Sequence, residues 1–281
     1  MNTQEILKKL GFSANERVVI FHADDIGMCE ASVSAYADVV DFGLLSSAAT
    51  MVPCSWFPAT AAFCRTHPQV DMGVHLTLTS EWDGYRWSPI STGDPASGLM
   101  DSEGYFHRAA AELQEGAKKT AVYLELKSQI KRAIAAGINI THIDTHMFAI
   151  YPTYTDIYLH LADEFGVPAF ALQPDAEQQL GRRLTVEEAE KRPLLNAWSA
   201  MSYTEHENRF EQARHYLDNF PVGISYFLVH PSKDTPELRT IAPDWRTRVA
   251  DYELFTSERF RNYVQESGIQ IIGWHHLQEL L

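Results

Sequence analysis

Three apolar runs, far apart along a chain of 281 residues, each end in side chains that bind metal ions: Phe21-His22-Ala23-Asp24-Asp25, Gly73-Val74-His75-Leu76-Thr77 and Thr141-His142-Ile143-Asp144-Thr145-His146. For these ends to meet, the runs must lie side by side and point the same way, as parallel strands do when they deliver side chains to one rim. A carboxylate and two imidazoles brought together in this way form an open three-ligand set, which leaves a position for water on a catalytic divalent ion. The expectation is an enzyme.

The rest of the chain keeps the rhythm that such a sheet requires. β-Branched and aromatic runs at Val18 to Ala23, Leu44 to Val52, Val70 to Leu78, Ile138 to Thr145, Val167 to Leu172 and Ile224 to His230 read as strands, with Ile269 to Trp274 as a closing seventh. Between them, Glu30 to Phe42, Phe57 to Thr66, Lys118 to Ala136, Tyr154 to Phe165, Glu205 to Phe220 and Ser257 to Ser267 carry helical periodicity. Gly43, Gly137 and Gly166 stand where helix C-terminal glycines belong, and Ser202 with Glu205 suggests a capping box. A single α/β domain over residues 1–281 is expected, interrupted at Ser80 to Gly116 and at Gln173 to Leu195. The first insertion follows the His75 run, so Trp82, Tyr85 and Trp87 either line a substrate wall or anchor their own loop. The charge run from Glu187 to Lys191 reads as a solvated helix face.

Composition narrows the function classes. A formal net charge of −14, from 37 acidic against 23 basic residues, repels a phosphate backbone, so nucleic acid is not an expected partner. No segment offers ~18 uninterrupted apolar residues, and Met1 to Glu16 lacks the apolar core of a signal peptide, so neither membrane spanning nor export is indicated. Cys29, Cys54 and Cys64 are too few and wrongly spaced for a zinc knuckle or a disulfide framework; they read as free thiols in a reducing, cytoplasmic setting.

Strand geometry refines the site. Side chains alternate faces along a strand, so His142, Asp144 and His146 share one side if the strand persists, whereas the adjacent Asp24 and Asp25 must diverge. One aspartate then binds metal while the other faces the bound water as a base; capping or arginine pairing is the structural alternative. His75, between Val74 and Leu76, fits a hydrogen-bonded core histidine or a ligand, and its company favours the ligand. His230 ends an apolar run before Pro231, where either a general acid or a backbone-satisfied histidine fits. His275 and His276 read as barrel-end or surface residues.

His22-Ala23-Asp24-Asp25-Ile26-Gly27, Gly73-Val74-His75-Leu76-Thr77-Leu78-Thr79, Thr141-His142-Ile143-Asp144-Thr145-His146 and His230-Pro231 together resemble, in order and over roughly the whole chain, the four motifs of the YdjC-type carbohydrate deacetylases, which include chitooligosaccharide deacetylases. The resemblance implies an irregular seven-stranded (β/α) barrel of the glycoside hydrolase/deacetylase type. It implies one divalent metal ion, Mg or Zn ahead of Mn, Co or Fe, and removal of an acetyl group from an N-acetylated amino sugar or oligosaccharide by water activated on that ion. Carried across by motif, Asp25, His75 and His146 are the metal ligands, Asp24 the general base and His230 the general acid. His142 and Asp144 orient the ligands, with His142 the alternative third ligand. The chain departs from the family pattern at His22, where Asn is common, at Met147 and Phe148, where further histidines are common, and at Ser232, where Gly is common. These changes alter the lining beside the metal and leave the acceptor sugar open.

Two other functions use the same residues. A metal-dependent hydrolase of a phosphoester or a cyclic amide would share the ligands, although phosphate chemistry usually brings Arg or Lys, which the motifs lack. A catalytically silent, metal-containing sugar-binding protein would keep the site without turnover. A glycosidase would have no need of the histidines. An exposed aromatic loop beside a barrel mouth would also suit completion by a partner subunit in a homodimer.

Overall fold

A computed structural model describes residues 2–174, 176 and 184–281. Seven parallel strands form one sheet: β1 Arg17–Ile26, β2 Ser47–Thr50, β3 Met72–Leu76, β4 Ile140–Thr145, β5 Ala197–Ala200, β6 Gly223–Val229 and β7 Gln270–Ile271. Their order is β4-β3-β2-β1-β6-β5, with β7 on the N-terminal part of β1 at Val18 and Val19. Single parallel bridges, Ile143 to Ala169 and Leu172 to Leu195, carry the pairing from β4 across to the residues leading into β5, and so close the sheet into an irregular (β/α) barrel. The expected strand Val167 to Leu172 is thus present only as bridging backbone, with Phe170 N donating to Ile143 O at 3.0 Å and Leu195 N to Ala171 O at 2.9 Å. The strand that sequence reading missed is β5, whose pattern Ala197-Trp198-Ser199-Ala200 is too short and mixed to stand out.

β1 is the central strand, and every residue after Arg17 is buried. Being covered on both faces, it has no polar-out alternation, and what alternates instead is the kind of interior it meets. Phe21 points outward to the helical layer, where Phe227, Phe255 and Phe260 surround it at ring separations of 5.4 to 6.1 Å. His22 and Asp24 point into the barrel.

The helices Glu30–Phe42 and Phe57–Thr66 fall on their expected ranges, as do Lys119–Ala135, Thr155–Phe165 and Glu258–Glu266 to within a residue at each end. Gly43 and Gly166 cap their helices in the left-handed region, at φ of 80° and 63°, for which glycine pays no Cβ penalty. Ser202 does accept the Glu205 amide at 3.0 Å, but no helix starts there; the helix runs Arg209–Asn219 behind Asn208. The Ser202–Glu205 pair instead shapes a loop. Sequence periodicity also missed Trp245–Phe255, because this helix buries Thr247, Arg248 and Asp251 alongside its apolar residues and so shows no clean apolar stripe. The three cysteines are free and buried. No helix among the described residues is long and apolar enough to cross a membrane.

The N-terminal end of the barrel is plugged. The last strand ends at Ile271, short of the expected Trp274, and Gly273 starts the helix Trp274–Gln278, whose Trp274 stacks on His142 at 5.0 Å and 16°. On its other side His142 meets Gly73, where a Cβ would come within 2.4 Å of Nε2, so only glycine allows that approach.

Candidate metal centre and active site

The C-terminal ends of β1, β3 and β4 open into a cavity of about 400 Å³. Asp24, Asp25, His75, Asp144, His146 and His230 all line it. The expected divergence of the two aspartates does not occur. Asp25 sits at φ 63°, in the left-handed region a non-glycine residue rarely adopts, and the β1–β2 register shifts between Ala23 and Ile26. This local break in the strand cancels the alternation, so both carboxylates reach His75 Nε2, at 3.6 Å from Asp24 Oδ2 and 3.4 Å from Asp25 Oδ1. Strain of this kind persists only where the surroundings over-determine it, and it concentrates at functional sites.

His146 lies just past β4, in a tight turn with Met147 and Phe148 at φ 52° and 51°. The turn swings its ring toward β1, with Nδ1 3.2 Å from Asp25 Oδ1. Asp25 Oδ1, His75 Nε2 and His146 Nδ1 therefore converge, as one of three His/Asp groups among the described residues compact enough to hold an ion. Asp25 Oδ1 is buried and has no hydrogen-bond partner, a costly state that a cation between the three atoms would relieve. Each imidazole is held from behind by a carboxylate: His75 Nδ1 by Asp144 Oδ1 at 2.8 Å, and His146 Nε2 by Glu81 at 3.0 Å. That carboxylate–imidazole pairing orients metal-ligating histidines and raises their basicity. The residues fit a divalent ion. His142 lies instead on the barrel floor, its Nδ1 3.0 Å from Thr141 Oγ1.

Charge is balanced around this set. Burial alone would raise the Asp25 carboxyl, but Arg248, whose Nη1 donates to Oδ2 at 2.8 Å, and His146 hold it well below the ordinary range. Burial would likewise lower His146; Glu81 and Asp25 outweigh it and lift its pKa to about 10 in the absence of an ion. His230, at the end of β6, has its proton affinity lowered by burial despite the nearby Asp25, Asp24 and Asp251 carboxylates. Its backbone amide donates to Asp251 Oδ2 at 3.0 Å, which fixes its position without engaging its ring.

The residues 18–266 match the family described as YdjC-like protein. Along 294 aligned residues the chain is 31% identical to the carbohydrate deacetylase of Thermus thermophilus, covering 99% of each chain. The chain belongs to the YdjC-like family. The carbohydrate deacetylase of Brevibacillus brevis is a more distant relative, 25% identical over 92% of this chain and 99% of its own. Among solved structures, an Enterococcus faecalis protein described as a candidate for cellobiose-phosphate cleavage superposes with a TM-score of 0.78 at 20% identity, covering 93% of this chain and 99% of that one. At that identity it attests the shared fold.

The remaining walls of the YdjC-like cavity were not all foreseen. Of the three aromatics expected to form a wall, Trp82 lines the cavity, beneath the Arg248 guanidinium at 5.3 Å. Tyr85 and Trp87 anchor the loop instead, donating to Met28 O at 2.5 Å and to Thr79 O at 2.7 Å. The opposite wall is built by Phe148, Phe170, Trp198, Tyr203 and Tyr226. Glu81 and Arg248 were missed. Glu81 had a readable signal, a lone acid at the head of the loop that follows the His75 strand; Arg248 had none, since it lies far along the chain on the helix that periodicity overlooked.

Proposed function

We propose that the protein is a metal-dependent carbohydrate deacetylase that hydrolyses the acetamide of an N-acetylated amino sugar or oligosaccharide. The observation that carries this reading is the meeting of Asp25 Oδ1, His75 Nε2 and His146 Nδ1 in a cavity that also holds a second carboxylate and a further imidazole, Asp24 and His230. The names of the curated relatives point to the same chemistry. A divalent ion held by Asp25, His75 and His146 would supply a Lewis acid for the acetyl carbonyl and lower the pKa of water. Two imidazole nitrogens with one carboxylate favour zinc over magnesium.

The chain's own groups supply the proton transfers. Asp24, beside the ligand set but not needed to complete it, takes the proton of the attacking water as general base. Arg248 keeps Asp25 ionised and turned toward His75 and His146. His230 gives a proton to the departing amine; burial, which lowers its proton affinity, makes its protonated form a stronger acid and a scarcer one near neutral pH. Trp82, Phe148, Phe170 and Trp198 offer apolar faces against which a sugar ring can pack. Among the described residues, Arg248 is the one guanidinium or ammonium lining the cavity, and it is committed to Asp25 and Asp244, an arrangement that argues against phosphoester chemistry.

The test is acetate release from N-acetylated mono- and oligosaccharides by metal-stripped protein with Zn, Mn, Co or Mg added back. Metal-dependent release supports the reading. No acetate from protein that binds one equivalent of metal would refute it and move the weight to another hydrolase or a sugar-binding protein.

A further inference from the structure

We propose that His22 is a positioning residue whose imidazole bridges Asp24 to Asp144 at the cavity floor, holding the base and the His75 ligand in one frame. The inference rests on the roles given above to Asp24 and His75. His22 Nε2 is 3.1 Å from Asp24 Oδ1 and 3.1 Å from Asp144 Oδ2. Asp144 in turn holds His75 Nδ1 through its other oxygen, at 2.8 Å. One side chain thus spans the group that moves the proton and the group that aims a metal ligand.

The hydrogen-bond pattern assigns the protons. Ser47 Oγ donates to Asp71 Oδ1 at 3.0 Å, so at its 3.0 Å contact with His22 Nδ1 it is the acceptor, and Nδ1 carries a hydrogen. Nε2 faces two carboxylates and carries one as well. His22 is therefore an imidazolium, fully buried, and the carboxylates outweigh the burial that alone would lower its pKa, lifting it to about 9. Its other charged or titratable neighbours are His142, edge-on at 5.1 Å, and Tyr226, stacked at 4.8 Å, whose hydroxyl donates to Asp144 Oδ2 at 3.2 Å. With a single Nε2 proton between two oxygens, neither contact is linear, and the atom counts as unsatisfied by hydrogen-bond geometry.

The experiment compares zinc-loaded wild type with His22→Phe and His22→Gln. Phe keeps the stacking on Tyr226 but leaves both carboxylates without a donor; Gln restores two N–H groups, one for each oxygen, without the charge. Expected for His22→Phe are a roughly 100-fold fall in kcat with KM within about twofold, and zinc affinity weaker by about tenfold. His22→Gln should recover kcat to within about tenfold of wild type. Wild-type kcat and zinc affinity in folded His22→Phe would overturn the proposal. So would a His22→Gln as impaired in kcat as His22→Phe while binding zinc like wild type, since that pattern marks a packing role alone. If His22→Phe does not fold, His22→Gln decides: kcat near wild type supports the bridge and a 100-fold loss refutes it. Absence of acetate from zinc-loaded wild type would count against the deacetylase reading instead, and zinc affinity would still decide the role of His22.

Discussion

The two ends of the barrel interior use the same side chains to opposite ends. At the C-terminal rim, Asp25, His75 and His146 aim ligand atoms at one another, with Asp25 Oδ1 buried and outside hydrogen-bonding geometry, on backbone bent into the left-handed region, beside a cavity. At the N-terminal floor, Asp71 is saturated: Oδ1 accepts from Thr141 Oγ1 at 2.6 Å and from Ser47, and Oδ2 from the backbone amide and Nδ1 of His275 at 2.7 and 2.8 Å. Clustered His and Asp do not by themselves make a reactive site. What separates the rim from the floor is convergence next to open space; around Asp71 the floor is a packed polar network that specifies structure, although His142 Nε2 within it has no hydrogen-bond partner.

Three changes would break or sharpen that contrast. His75→Ala removes a rim ligand and should abolish both stoichiometric zinc binding and acetate release, a loss of at least about 10⁴-fold in kcat/KM, measured by competition with a chelating dye and by acetate assay. Retained zinc at wild-type affinity would show that the ion is held elsewhere.

Asp71→Asn should instead cost about 3 kcal/mol of stability by chemical denaturation while leaving kcat per folded molecule nearly unchanged, because the floor supports the fold. The sign of its pH dependence follows from linkage. Burial opposes the Asp71 carboxylate, but hydrogen bonds from His142, His275 and Thr141 prevail, and its folded-state pKa lies below the unfolded value of 3.8. Its contribution is complete well above pH 3.8 and disappears as pH falls through the lower folded value. Wild type should therefore lose more stability than Asp71→Asn between pH 5 and pH 3, and equal losses would contradict the assignment.

The smallest effect is expected at Glu81→Gln. It keeps the shape behind His146 but removes the charge, and should weaken zinc affinity or kcat by about tenfold. No change in either would mean that Glu81 merely fills space.

How much of this was legible depended on how local each determinant is. The motifs that carry the candidate ligands could be read because each sits within a few residues at the end of an apolar run, and the helices at Glu30–Phe42 and Phe57–Thr66 because their periodicity is self-contained. The choice of His146 over His142 beside Asp25 came from the family motif and not from spacing: both lie on the inward face by spacing, and the turn at Met147 and Phe148 leaves His146 at the rim while Trp274 stacks on His142 at the floor. The convergence of Asp24 and Asp25 was misjudged because strand alternation assumes regular backbone, and the bulge after Ala23 is stabilised by contacts from elsewhere. Arg248 was invisible for the same reason. It lies 223 residues from the Asp25 it neutralises, on a helix whose buried charges are sensible only once their partners are in place.

Sequence alone, then, determined the parallel βα plan, the strand ends that carry carboxylate and imidazole, and the family resemblance, because hydrophobic period and short motifs are properties of neighbouring residues. Tertiary structure decided which of those groups meet, which are satisfied and which face a cavity, because hydrogen-bond saturation and burial are set by residues brought together from opposite parts of the chain.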